Sequence, residues 1–276
     1  MALLHEIKPK DIYVHRTKMS NKEDPMNILY ENDMIRKVGN GLFVLKGKSI
    51  IILNDVNQLI CSLANQLGAE FINVPVLLSE ENTLKTEYTK SFKDQAIMTT
   101  DKEMVSPTVC YHYFSSLKDN YVKENTIICA LSQCTRREKG ELKDLSRLTN
   151  FTMREIVFMG SEDYCIDIRN KILEGTKKIL NERYDMSYKI STASDIFFGE
   201  DNTLKEKAQL MNESKYEIRA FIPYKKDSIS IASFNLHGSI FYDRFNIKPK
   251  MYSGCVGWGY ERMLYALIAQ KGESIL

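Results

Sequence analysis

The sequence predicts an α+β fold: a mainly antiparallel sheet flanked by helices. Two patterns carry the prediction. Long strand-like runs are joined by a short charged loop, as in a hairpin, and the helical segments do not alternate with strands in strict β–α–β order. A third observation is size. The 276 residues, 43% hydrophobic and 27% charged, can bury one large core, and no linker or repeat divides them. The chain 1–276 therefore reads as a single domain.

Residues 1–41 are charged, with few apolar clusters beyond Ile12-Tyr13-Val14 and Ile28-Leu29-Tyr30, and read as an N-terminal arm or cap. After Gly39-Asn40-Gly41, residues 42–45 and 50–53 read as strands around a Lys46-Gly47-Lys48 turn. Asn54 or Asp55 would then cap a helix in which Val56, Leu59, Ile60, Leu63 and Leu67 keep helical spacing until Gly68. Residues 69–78 read as extended, with Pro75 marking an edge or a kink. Segments 126–137 and 150–159 form a long antiparallel hairpin across a charged loop. Residues 163–180 read as a helix with Ile166, Leu173 and Leu180 at sevens. Strands follow at 216–224 and 229–235, the second placing Ile229, Ile231 and Ser233 on one face. The end reads strand, glycine-rich turn and helix, with Met263, Leu264, Leu267 and Ile268 buried.

Composition narrows the function. Thirty-eight Lys and Arg against 36 Asp and Glu leave +2, which argues against a dedicated polyanion binder but leaves a local basic pocket open. Six cysteines occur without a CxxC pair, the start carries no signal-like apolar core, and no apolar run approaches the roughly 20 residues of a membrane span. The expectation is a cytoplasmic protein with reduced thiols and no membrane partner.

Three groups of residues could carry chemistry. In 134–138, Arg136 and Glu138 would share one strand face, suiting a ligand that offers both phosphate and an exocyclic amine. A solvated charged face is the plain alternative. Second, the glycines of 254–259 precede a helix bearing Arg262, where a phosphate could approach. A surface arginine after a glycine turn explains the same letters. Third, Cys110, Glu155 and Cys255 would suit a working Zn²⁺ site with an open fourth position. Their spacing does not bring them together, and each Cys could equally be a small buried hydrophobe.

Arg136-x-Glu138 with Phe151 and Glu155 resembles motif 2 of the class II aminoacyl-tRNA synthetases, and Gly257-Trp-Gly259-Tyr-Glu-Arg262 resembles their motif 3. Further phrases narrow this: Ser106-Pro-Thr-Val-Cys110-Tyr-His112, Phe151-Thr-Met-Arg-Glu155, Asp195-Ile-Phe-Phe-Gly199, Ala232-Ser-Phe-Asn-Leu-His237 and Gly254-Cys255-Val-Gly257. Together, over about 42–271, they resemble the amino acid:carrier-protein ligases, truncated relatives of archaeal-type seryl-tRNA synthetases.

The resemblance implies a class II catalytic core over 42–276. Its implied reaction activates a small amino acid with ATP as the aminoacyl-adenylate, then transfers it to the phosphopantetheine thiol of a carrier protein. Arg136 and Arg262 would be catalytic. Arg136, Glu138, Arg147, Phe151, Asp227 and Arg262 would bind ATP, with Mg²⁺ near Asp227. Arg136, Glu217, Asn235 and His237 would meet the amino acid. Cys110, Glu155 and Cys255 would hold Zn²⁺, which takes the substrate amine. A homodimer is implied through a faint motif 1 at Pro75. Two departures stand out: Thr135 replaces the aromatic residue expected before Arg136, and Asp227 stands where a Glu is expected. The low net charge and the short stretch before the core argue against tRNA as the acceptor. A tRNA-aminoacylating enzyme and a non-catalytic binding paralogue remain the alternatives.

Overall fold

The computed structural model describes residues 8–92, 94–195 and 202–276. Its first elements are β1 (Asp11–His15), α1 (Pro25–Glu31), β2 (Ile35–Gly39), β3 (Leu42–Leu45) and α2 (Lys48–Gln66). Then come β4 (Glu70–Asn73), β5 (Leu77–Leu78), α3 (Glu80–Thr86), α4 (Tyr88–Ser91), β6 (Met104–Val105) and α5 (Cys110–Ser116). The hairpin β7 (Thr126–Thr135) and β8 (Asn150–Gly160) leads to α6 (Glu162–Lys178), β9 (Tyr188–Thr192) and α7 (Asn202–Met211). The chain ends with β10 (Lys215–Ile222), β11 (Asp227–Gly238), α8 (Ile240–Phe245), β12 (Tyr252–Gly259) and α9 (Tyr260–Lys271).

Eight strands form one sheet in the order β1-β9-β10-β11-β12-β8-β7-β4. Every pairing is antiparallel except β4 with β7. The segment read as an arm contributes directly: β1 pairs with β9 at the sheet edge, and α1 buries Met26, Ile28 and Leu29 in the main core. One sheet face packs against α2, α6 and α9. Ile156, Phe158, Ile218, Phe234, Val256 and Trp258 meet these helices there, and burial of such side chains is worth roughly 1.5–3 kcal/mol each. A second cluster on the other face joins Phe114 of α5 and Phe241 and Phe245 of α8 to Ile128, Val157 and Met159. The candidate site lies on this second side.

Three local expectations are corrected. Residues 50–53 are not a strand but belong to α2, so Asn54 and Asp55 lie inside the helix rather than at its cap. Their β-branched run favours extended chain locally. The stripe Ile52, Leu53, Val56, Ile60, Leu63 and Ala64 is nonetheless buried as one helical face, with Ile51 left 68% exposed, so packing overrides propensity. The partner of β3 is instead β2. Their connection uses Gly41 at φ +66°, where a Cβ would also lie 2.4 Å from Leu142 Cδ1.

Strand β11 carries a bulge opposite Ile218–Arg219, so Ile229, Ile231 and Ser233 do not share one uninterrupted face. Gly254, Gly257 and Gly259 are residues of β12 itself, not of a turn after it. A Cβ at Gly254 would lie 2.3 Å from Phe158 Cε2 and 2.6 Å from the Asn235 carbonyl oxygen. The glycine is required by close approach of neighbouring strands.

Candidate active site

The central strands deliver side chains to the second face by their period of two. Cys255 of β12 stands opposite Val157 of β8 on one side and Asn235 of β11 on the other, while Gly257 stands opposite Glu155. Cys110 arrives separately, at the first position of α5. The donor atoms of Cys110, Glu155 and Cys255 all lie within 4.8 Å of one another, and all three residues are buried. Three elements far apart in sequence therefore meet in a set that could hold a metal ion.

Glu155 is held in place by the segment before α5. Its Oε1 accepts from Val109 N at 2.9 Å and from the Thr108 hydroxyl, and Oε2 accepts from Cys110 N at 3.0 Å. A carboxylate oxygen can accept twice, so Oε2 keeps a lone pair. Burial, then the charge at Cys255, push the Glu155 carboxyl up to about 7 despite these donors. The hydrogen bond to Cys255, burial and the Glu155 charge push the Cys110 thiol up. Asn235 Nδ2 donates to Cys255 Sγ at 3.7 Å, and His237 Nδ1 lies 3.2 Å from Ser253 Oγ. The two β11 residues assigned to substrate thus stand beside the thiol pair.

A cleft of about 1250 Å³ opens over this cluster, lined by every residue assigned from sequence except Asp227. Arg136 and Glu138 do not sit on a strand as expected, because β7 ends at Thr135. Arg136 N still extends the ladder to Thr149 O at 2.9 Å, but Arg137 N turns to Gln95 O at 2.8 Å. Arg136 donates from Nε and Nη2 to Pro107 O at 3.1 and 3.0 Å, with its guanidinium 5.2 Å from the Phe151 ring centroid. Glu138 pairs with Arg147 at 2.9 Å. Arg262, one turn into α9, donates to Ser146 O at 2.8 Å and to Ser230 O at 3.2 Å. Burial and then the Arg136 charge lower its pKa. Two guanidiniums whose charges act on each other across one cleft suit an anionic ligand.

Asp227 is corrected. It is exposed at the start of β11, its carboxylate accepts from Ser228 N, and it does not line the cleft. Glu217 does line the cleft, paired with Arg219 at 3.0 Å.

Sequence reasoning missed several cleft residues. Arg219 follows Glu217 at a spacing of two, a signal open to the same strand argument. Thr108 and Glu261 act through hydrogen bonds across the fold and leave no pattern in sequence. Asp195 pairs with buried Lys215 and accepts from Gln209 Nε2 at 3.0 Å. Burial opposes ionisation of Asp195, yet Lys215 and Gln209 hold its pKa below the usual range. The rest of the Asp195-Ile-Phe-Phe-Gly199 phrase lies outside the described residues.

No family model matches the chain. The type-2 serine–tRNA ligase of Methanopyrus kandleri is 30% identical over 184 residues, 61% of this chain and 35% of that protein. The type-2 serine–tRNA ligase of Methanococcus maripaludis is 32% identical over 145 residues, 50% of this chain and 28% of that protein. The chain thus spans about a third of the length of these curated relatives. Among solved structures, M. kandleri SerRS in complex with A. aeolicus tRNASec superposes at a TM-score of 0.84. It covers 96% of this chain and 60% of that one, at 19% identity. Seryl-tRNA synthetase from Pyrococcus horikoshii complexed with ATP gives 0.75 over 93% of this chain and 60% of that one, at 13% identity.

The fold is that of the class II synthetases, and the chain is homologous to type-2 seryl-tRNA synthetases. The expected acceptor is overturned. The relatives are tRNA ligases, and one structural neighbour is bound to a tRNA, so a carrier protein in place of tRNA does not stand. Net charge does not decide the acceptor, because it averages over the whole surface, whereas a polyanion reads only the local field. Among the described residues, no helix is long and apolar enough to cross a membrane.

Proposed function

We propose that this chain activates an α-amino acid with ATP, forming the aminoacyl-adenylate, and passes the aminoacyl group to the 3′ end of a tRNA. One observation carries the activation step. The buried Cys110, Glu155 and Cys255 set and the arginines Arg136 and Arg262 open onto a single cleft. Homology to tRNA ligases supports the acceptor.

In the reaction, a carboxylate oxygen of the amino acid attacks the α-phosphorus, and the bond to the bridging oxygen of pyrophosphate breaks. No protein nucleophile is required, so positioning and charge stabilisation carry the catalysis. Arg136 spends two of its five N–H groups on Pro107 O and has the others for the substrate carboxylate and the α-phosphate. Arg262, anchored on Ser146 O and Ser230 O, faces the leaving phosphates. Phe151 offers its ring to adenine, and Glu138 accepts from the adenine amine, held in place by Arg147. Asn235 and His237 border the amino-acid end.

The donor set of Cys110, Glu155 and Cys255 fits Zn²⁺: two soft sulfurs and a carboxylate oxygen, buried with their donor atoms within 4.8 Å of one another. When bound, zinc would supply a Lewis-acid hold on the substrate amine and so favour α-amino acids. Mg²⁺ would accompany ATP.

A second reading, a non-catalytic nucleotide or amino-acid binder, is favoured by one fact. Glu138 and Glu217, the two carboxylates assigned to substrates within the cleft, are each already paired with an arginine. Amino-acid-dependent ATP–pyrophosphate exchange over all twenty amino acids, followed by charging of total tRNA, separates the two. Exchange with one or a few amino acids and acid-precipitable label on tRNA are expected. ATP binding without exchange for any amino acid would favour the silent binder.

A further inference from the structure

We propose that Arg219 binds the terminal phosphates of ATP beside Arg262, as a fourth guanidinium at the nucleotide end of the cleft. The inference rests on the nucleotide reading above and adds a residue that the sequence motifs do not contain.

Strand β10 buries Tyr216, Ile218, Ala220 and Ile222 in the main core, which turns Glu217 and Arg219 to the cleft side. Arg219 donates from Nη2 to Ser228 O at 2.7 Å, from Nε to Ser228 Oγ at 3.3 Å and from Nη1 to Glu217 at 3.0 Å. Arg262 donates from Nη1 to Ser230 O at 3.2 Å. The two guanidiniums therefore hold carbonyls two residues apart on one strand, at most about 7 Å at the usual rise. A row of adjoining phosphates bridges such a span.

The local pairing agrees. Glu138 pairs with Arg147 and Glu217 with Arg219, whereas Arg262 donates to the carbonyl oxygens of Ser146 and Ser230 rather than to a carboxylate. The anchoring bonds occupy three of the five N–H groups of Arg219, leaving one on each terminal nitrogen, and its side chain is 33% exposed. Ser228 and Glu217 keep the guanidinium fixed before a ligand arrives, so little side-chain entropy is lost on binding.

The test is calorimetric titration of the full chain with ATP and, separately, with AMP, for the unaltered protein, Arg219→Ala and Arg219→Lys. The expected result is a loss of about tenfold or more in ATP affinity for Arg219→Ala. AMP affinity should be unchanged, and Arg219→Lys should be intermediate. Equal ATP affinity in the unaltered protein and Arg219→Ala overturns the proposal. A parallel loss for ATP and AMP also overturns it, because that pattern marks a structural role. Absence of any ATP binding by the unaltered protein would sink the nucleotide reading itself, an outcome distinct from the first two.

Discussion

Glu261 grips the backbone of Thr152 with both carboxylate oxygens, at 3.0 and 2.8 Å, and also accepts from the Thr152 hydroxyl at 2.8 Å. This buried contact ties the first turn of α9, which carries Arg262, to the stretch of β8 that carries Phe151 and Glu155. It fixes Arg262 relative to Phe151 across the cleft. Glu261→Gln replaces an acceptor with an NH₂ that faces a donor. A stability loss of about 1–3 kcal/mol is expected, with a fall in exchange activity larger than that of a distant variant of equal stability. Urea unfolding alongside exchange kinetics checks both.

Metal content is the second prediction. Protein purified without added zinc should carry about one zinc per chain by elemental analysis. Cys110→Ser and Cys255→Ser should each lose most of it while keeping their circular dichroism spectrum, since both core clusters extend well beyond the site. Full zinc retention in both variants would remove the thiols from the ligand set.

Arg136→Ala and Arg262→Ala should each reduce amino-acid-dependent pyrophosphate exchange by about 100-fold or more, as loss of a preorganised charge partner usually does. Near-normal exchange in either variant would mean that its guanidinium does not face the reacting phosphates.

Gly254→Ala should destabilise the chain through overpacking, by about 1–3 kcal/mol or more, because its Cβ would meet Phe158 and the Asn235 carbonyl at 2.3 and 2.6 Å. Gly259→Ala is the contrasting substitution: its nearest contact is Arg262 Cδ at an ordinary 3.7 Å. Urea midpoints should therefore drop for the first variant and stay near the original for the second.

The parts of the fold legible in sequence were those with long, regular patterns. The β7–β8 hairpin, α6 and α9 follow from periodicity within one element, and Arg136, Glu138 and Arg262 follow from short local phrases. Residues 50–53 misled because β-branched side chains carry a local strand preference that helix burial overrode. Asp227 misled because a strand register cannot be read without knowing where β11 begins and where it bulges. The meeting of Cys110 with Glu155 and Cys255 is invisible to any spacing rule. It depends on α5 being held against β8 by the Thr108, Val109 and Cys110 bonds to Glu155. Arg219 was within reach of the alternation argument applied to Glu217.

The adenylate itself provides the most direct measurement. Excess enzyme is mixed with α-phosphate-labelled ATP and Mg²⁺, one amino acid at a time, and the quenched products are separated. The account predicts a labelled aminoacyl-adenylate with at least one α-amino acid, together with pyrophosphate, and none without amino acid. Unchanged ATP with every amino acid, or cleavage indifferent to amino acid, would contradict it.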